Sequence, residues 1–159
     1  MIGEGTVAVR ILIAAGLGMA IGIERELRDQ WAGMRTHILV SVGACLFTLM
    51  SAIGFSAFIG GTAKASANAD VTRIASQVVV GIGFIGGGTI LRQGANVRGL
   101  TTAATLWVTA AIGLASAAGA YLAAVVTTGV AVVTLAGLKP LERLIARFGR
   151  REMKREDES

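Results

Sequence analysis

Within 159 residues there is one cysteine (Cys45), one histidine (His37), one proline (Pro140) and one tyrosine, and aromatic residues make up only 5% of the chain. A single cysteine excludes an internal disulfide. One histidine, one cysteine and no paired carboxylates within any apolar segment leave no set of side chains able to act together as nucleophile, base and orienting group, so the chain does not read as an enzyme. No second His or Cys accompanies His37 to complete a metal site, and an interfacial hydrogen bond is the simpler role for it. No cofactor is expected. Acidic residues are missing altogether between Asp70 and Glu142. That gap bears on Gly81-Ile-Gly83-Phe-Ile-Gly86, which matches the dinucleotide fingerprint GxGxxG and follows the β-branched run Val78 to Val80. A nucleotide fold requires an acidic residue about 20 positions further on for the ribose. Position 106 is Leu, so a packing pattern is the better reading.

Charge itself is scarce and segregated. Charged residues are 16% of the chain, against about 25% in soluble proteins, and hydrophobic residues reach 53% with a mean hydropathy of +0.68. Thr36 to Ala63, Ile74 to Leu91 and Gly99 to Leu138 contain no Lys, Arg, Asp or Glu. At about 20 residues per span these stretches hold one, one and two transmembrane helices. Thr6 to Ile23, interrupted only by Arg10, adds another. The expected fold class is therefore an all-α membrane protein of about five transmembrane helices, with residues 1–138 as the membrane domain.

Taken in order, the first segment has no basic residues ahead of its apolar core, and positive charges follow it, which argues for a retained span with its N-terminus outside. Glu24 to Arg35 carries charges at helical spacing, Glu24 with Arg28 and Arg25 with Asp29, and is expected to continue as a helix beyond the membrane. The second span is expected over about Ile38 to Ile59. Gly60 to Thr72, rich in Gly, Ala, Ser and Asn, reads as a loop. The third span runs from Arg73 to Leu91, and Arg92 to Gly99 is a basic turn. Thr101 or Thr102 is suited to cap the fourth span, Gly119 marks a hairpin, and the fifth span runs from Tyr121 to Leu138. Pro140 then starts a tail, residues 139–159, in which Leu141, Leu144, Ile145 and Phe148 share one helical face with Arg143, Arg147, Arg150 and Arg151 between them. This is the pattern of a basic amphipathic helix lying on an anionic leaflet. With the N-terminus outside, 12 of the 15 Lys and Arg residues fall on the inner side, so the C-terminus is cytoplasmic. Topology thus accounts for the net charge of +5, and no nucleic acid is needed as partner.

Small residues supply the expected packing faces. Gly81, Gly83, Gly86, Gly87 and Gly88 crowd the third span, with Gly83 and Gly87 forming a GxxxG pair; Ala14, Gly18 and Gly22 recur at spacing four in the first. Such faces let helices approach backbone on backbone in lipid, and they suggest a homodimer or higher homo-oligomer. Two polar groups stand out. Glu24, Arg25, Glu26, Arg35, Thr36, His37, Asn96, Arg98, Thr101 and Thr102 lie at inner boundaries, either holding spans at the headgroups or lining a mixed-charge pocket for a cation or partner. Arg10, one turn inside hydrocarbon, either snorkels outward or meets an acid. Together with Asp70, Arg73 and Gln77 it defines an outer polar cluster or a set of separate headgroup contacts. Trp31 suits an interface anchor.

Glu24-Arg25-Glu26, Ala32 to Val40 (AGMRTHILV), Asp70 to Gly88 with its GIGFIGGG core, and Val97 to Ala104 (VRGLTTAA) followed by Trp107 resemble the successive motifs of the MgtC/SapB family. The resemblance covers most of residues 10 to 115. It implies a bacterial inner-membrane protein of about five spans, with members linked to low-magnesium adaptation, acid tolerance and survival inside host cells. It also implies regulation, in which a family protein restrains the F-type ATP synthase by contacting its membrane sector. Longer members carry a folded cytoplasmic C-terminal domain of the ACT type, whereas a basic tail of about twenty residues follows the last span here. Two function classes follow: a regulator that binds a membrane partner through small-residue helix faces, and a transporter of magnesium or another cation. Mg²⁺ normally needs one or two carboxylates and none lies deep in a span, although carbonyl rings or an oligomeric pore could provide oxygen ligands. The metal question stays open at this stage.

Overall fold

The computed structural model describes residues 3–58 and 71–156. Among these residues lie five helices and one small hairpin: α1 (Glu4–Glu26), α2 (Met34–Phe58), α3 (Val71–Gly88), β1 (Leu91–Gln93), β2 (Asn96–Arg98), α4 (Leu100–Ala118) and α5 (Tyr121–Glu156). Among the described residues, four helical segments are long and apolar enough to cross a membrane, Glu4–Glu26, Met34–Ile53, Leu100–Ala118 and Tyr121–Leu138, while α3 offers the shorter apolar stretch Ser76–Gly88. The chain is a helical membrane protein.

Helices α1, α2 and α4 pack on one another and form the centre; α3 covers the α2–α4 side and α5 the α1–α4 side. Small side chains fill the interior. Ala14, Cys45, Leu49 and Ala117 meet in one buried cluster, and Ala32, Ala44, Ile82, Leu106 and Ala110 in another. Lipid tails are as apolar as these residues, so tight van der Waals contact, with no hydrophobic gradient, must hold the helices together. Four interior hydroxyls are satisfied within their own helices: Thr48, Thr109, Ser116 and Thr128 each donate to the carbonyl four residues back, at 2.7–2.8 Å. No water is required at these sites.

Three glycines mark where the central helices touch. A Cβ at Gly18 would lie 2.7 Å from the His37 carbonyl oxygen and 2.9 Å from Ser41 Cβ, and one at Gly22 would lie 2.5 Å from Met34 Cα. A Cβ at Gly113 would overlap the Ser41 carbonyl oxygen. Ser41 is thus the point at which α1, α2 and α4 meet. The Ala14, Gly18, Gly22 spacing is a contact face. The third-span glycines behave differently: Gly86 alone packs, against Ala103 of α4, while a Cβ at Gly81, Gly83, Gly87 or Gly88 would meet nothing within 4 Å. Within one chain the Gly83–Gly87 pair makes no helix contact, because those positions point away from α2 and α4.

Helix ends also depart from the pattern-based expectations. α1 stops at Glu26 and does not continue to Arg35. Asp29 N–H bonds Glu26 O at 3.1 Å and Gln30 N–H bonds Arg25 O at 3.0 Å, with Asp29 at φ 52; this is a Schellman closure with Asp at the left-handed position usually given to Gly. The Arg25–Asp29 pair does not form, since Arg25 turns to Glu24. α2 begins at Met34, one turn before the expected start. Neither Thr101 nor Thr102 caps α4: its N-cap is Gly99, φ 87, with no side-chain bond. There a Cβ would overlap the carbonyl oxygen of Thr89, so backbone packing selects glycine. Gly119 does end α4, at φ 79, with its N–H on Ser116 O and Ala120 N–H on Ala115 O. The basic turn is an antiparallel hairpin pairing Leu91 with Arg98 and Gln93 with Asn96. Gly94, φ 62, opens its two-residue turn. Finally, α5 stays helical through Pro140 to Glu156, with no break at Leu138; the amphipathic side chains expected beyond Leu138 lie outside the described ones.

Candidate functional site

Charge gathers where α1 turns into α2. Glu24 and Arg25 are buried, with relative exposures of 9% and 3%. Arg25 Nε donates to Glu24 Oε2 at 2.7 Å, and the other carboxylate oxygen of Glu24 forms an ion pair with Arg28 one turn along. One acid therefore faces two guanidinium groups. Two charges taken out of water cost several kcal/mol each, and the close geometry offsets that cost only while every partner stays. Arg28 reaches onward and donates Nη2 to the Ala136 carbonyl of α5 at 3.2 Å.

Glu26 serves the next helix. Its Oε2 accepts from Met34 N–H at 2.9 Å, capping the N-terminus of α2 with a negative charge, which suits the free N–H groups and dipole there. A side chain at Gly33 would overlap that carboxylate, which accounts for glycine immediately before α2. His37, one turn in, is fully buried. A carbonyl oxygen only accepts, so the 2.9 Å contact between His37 Nδ1 and Gly33 O fixes the proton on Nδ1, and Nε2 is buried with no partner among the described residues, as is Ser41 Oγ. The one described hydrogen bond of His37 is therefore local, to the carbonyl one turn back in the chain.

Of the expected inner polar face, Glu24, Arg25 and Glu26 are drawn together, with His37 close by on α2. Arg35, Asn96, Arg98 and Thr101 are exposed and make no ion pair or side-chain hydrogen bond among the described residues. Thr36 is half-buried, and Thr102 is buried within the bundle. The ten residues thus do not line one pocket; the compact part is the cluster at the α1–α2 turn, extended by Arg28.

Among the described residues, Arg10, Arg73 and Gln77 of the expected outer cluster make no hydrogen bond or ion pair with one another. Arg10 Nη1 donates to the Ala117 carbonyl at 2.5 Å, and its guanidinium sits beside Gly119. It therefore satisfies one of the last carbonyls of α4, where a cation is favoured by the dipole, and no acid is its described partner. Arg73 is exposed on α3, Gln77 lines a groove between α2 and α3, and Asp70 lies outside the described residues. That groove, about 600 Å³, is walled by Leu39, Val40, Phe47, Val78 and Ile82 with Gly43 and Gly81 facing it. It is apolar apart from the Gln77 amide. The Glu24–Arg28 pair expected from the spacing forms; the onward contact of Arg28, a backbone carbonyl 108 residues away, and the close approach at Gly113 carry no sequence signal.

A bundle of apolar helices with an arginine–carboxylate cluster at one end, an apolar groove on one flank, and no group of three or more His, Cys, Asp or Glu able to hold a metal among the described residues defines a multi-helix membrane protein. The chain belongs to the MgtC family, whose model matches residues 11–144. Protein MgtC of Brucella abortus (strain 2308) is 43% identical over 129 residues, covering 81% of this chain and 50% of that one. YhiD of Escherichia coli (strain K12), provisionally named a magnesium transporter, is 46% identical over 113 residues, 71% of this chain and 51% of that one. Protein slr0014 of Synechocystis is 39% identical over 137 residues, 86% of this chain and 54% of that one. The chain spans about half the length of the curated relatives it matches. No solved structure matches.

Proposed function

We propose that this chain is a bacterial inner-membrane regulatory protein, N-terminus outside and C-terminus cytoplasmic, that acts by binding a membrane partner and performs no chemistry of its own. The observation carrying this reading is that the inner carboxylates are already committed. Glu24 is neutralised by Arg25 and Arg28, and Glu26 is used as the cap of α2. A magnesium ion at this cluster would have to displace arginines from a buried acid and then lose water reluctantly itself. Partner binding needs no such exchange. The exposed face of α3 and the apolar groove beside it offer a helix-sized surface in the plane of the membrane, the kind on which small residues let another helix approach closely.

The F-type ATP synthase membrane sector is the partner that the family resemblance suggests, in keeping with links to low-magnesium adaptation and intracellular survival. The test uses inverted membrane vesicles containing the synthase, with and without this protein. Lower ATP-driven proton pumping at unchanged passive proton permeability supports the proposal. Unchanged pumping at saturating protein removes the synthase as partner. The alternative, transport of magnesium or another cation, draws on the name given to the E. coli relative, and it predicts flux by the purified protein alone.

A further inference from the structure

α3 has two sides. On one, Val78 and Ile82 pack into the cluster shared with α2 and α4, and Gly86 lies against Ala103 of α4. On the other, Gln77, Gly81, Phe84 and Gly88 are all exposed. Their successive spacings of four, three and four residues place them on one line along the helix, in the alternation of a coiled-coil seam. Phe84 is 87% exposed, and a Cβ at Gly81 or Gly88 would meet nothing within 4 Å. The line is therefore one large side chain standing between two hollows, with an amide beyond the first of them. Gln77 is the one amide side chain among the apolar helical segments described, and it makes no hydrogen bond among the described residues. It lies roughly 16 Å along the helix from the end of α3 at Gly88 and shares the groove wall with Phe47 of α2. With hydrocarbon about 30 Å thick, water does not reach an amide at that depth, and a polar group without a partner there is costly.

We propose that this line is the contact between two copies of the chain, closed by a reciprocal pair of hydrogen bonds between their Gln77 amides. Both copies enter the membrane in the same direction, so a two-fold axis along the membrane normal sets α3 beside α3 in parallel, and residues on the line meet their own counterparts. A glutamine amide is its own complement under that axis, because each carbonyl oxygen accepts from the NH2 group of the other copy. Phe84 of each copy settles into the hollow left by Gly81 and Gly88 of the other, and the glycines let the two backbones approach. A lipid tail fills such hollows too, but it offers the amide neither donor nor acceptor. Ser76 and Gly83, further round α3, lie off the line and stay open to a different partner. The dimer goes beyond the regulatory reading and does not rest on it, since its test contains this chain alone.

Sedimentation equilibrium of the purified full chain in a density-matched detergent, over a range of protein-to-detergent ratios, reads the dimer directly. Wild type should be a reversible dimer. Gln77→Leu removes both reciprocal hydrogen bonds and should raise the dissociation constant roughly tenfold; Gln77→Asn, which keeps the amide on a shorter stem, should fall between the two. Gly81→Leu fills a hollow and should weaken the dimer at least as much, whereas Gly83→Leu, with the same bulk off the line, should leave it within about twofold of wild type. Neither glycine has a neighbour within 4 Å of its added Cβ in the single chain, so both variants should keep their helical content by circular dichroism. In liposomes and a Cys45→Ala background, Phe84→Cys should crosslink to itself on oxidation with copper–phenanthroline, and Leu12→Cys and Val133→Cys, also exposed but on α1 and α5, should not. A monomer at every ratio, a dimer indifferent to Gln77→Leu, one weakened equally by Gly83→Leu, or crosslinking through α1 or α5 in place of α3 would overturn the proposal. So would a Gly81→Leu chain that fails to fold, because Gly81 would then face its own bundle.

Discussion

Gly113→Ala adds one methyl group where α4 touches the backbone of α2. The new Cβ would overlap the Ser41 carbonyl oxygen and lie 2.9 Å from Ala44 Cβ and 3.1 Å from the Ser41 carbonyl carbon. Two of these three neighbours are backbone atoms of α2, so no rotamer change relieves them, and α2 must move away from α4 as a body. Ser41 also lies against Gly18 of α1, so the displacement reaches the third central helix. Overpacking of this kind costs about 1–3 kcal/mol, while replacing a helical glycine by alanine returns up to about 1 kcal/mol of helix propensity. With the full propensity gain the balance is a loss of up to roughly 2 kcal/mol. Gly83→Ala is the internal control: the same propensity gain applies, but a Cβ there meets nothing within 4 Å, so stability should hold or rise slightly. Thermal unfolding of purified chains in one detergent, followed by tryptophan fluorescence, separates the two. A Gly113→Ala chain as stable as wild type, alongside a destabilised Gly83→Ala chain, would refute the packing argument and return the principal contact to the α3 glycines.

Three further outcomes follow from the helix ends and the charge cluster. Glu24→Ala strands Arg25, which is only 3% exposed, so it should cost about 3–5 kcal/mol, seen as a lower unfolding midpoint or failure to accumulate in membranes; Glu26→Ala, which removes only the cap of α2, should cost about 1 kcal/mol. Arg10→Met removes the donor from the Ala117 carbonyl and should destabilise by about 1–3 kcal/mol; Arg10→Lys, retaining a charged donor, should recover part of the lost midpoint. Asp29→Gly places glycine at φ 52, where it is the favoured residue, and should raise the midpoint by an amount equivalent to about 0.5–1 kcal/mol.

The spans were legible because lipid enforces long uncharged runs, and the glycines of α1 were legible because the spacing of Ala14, Gly18 and Gly22 repeats one helical face. Gly113 was not. Its partner is the backbone of Ser41, and backbone leaves no pattern in a sequence. Of the α3 glycines only Gly86 packs within the chain, because spacing shows that a face is small and does not show what lies against it. Arg10 stands out in the sequence as a cation that either snorkels outward or meets an acid, whereas its acceptor is a carbonyl freed by the end of α4, which no side-chain pattern marks. Glu26 is similar, since a carboxylate at the end of one helix capping the start of the next depends on the Schellman turn at Asp29, a position where Asp gives no glycine signal. Thr101 and Thr102 fit the composition of a cap, yet the close approach of Gly99 to Thr89 decided that end of α4.

A chain that regulates a partner is not itself a path for magnesium. Purified protein is reconstituted alone into liposomes with an internal Mg²⁺-sensitive dye. Mg²⁺ should enter no faster than into protein-free vesicles, with a known magnesium channel as positive control for the assay. Saturable Mg²⁺ entry that is lost in a folded Glu26→Gln variant would contradict the regulatory reading and establish transport.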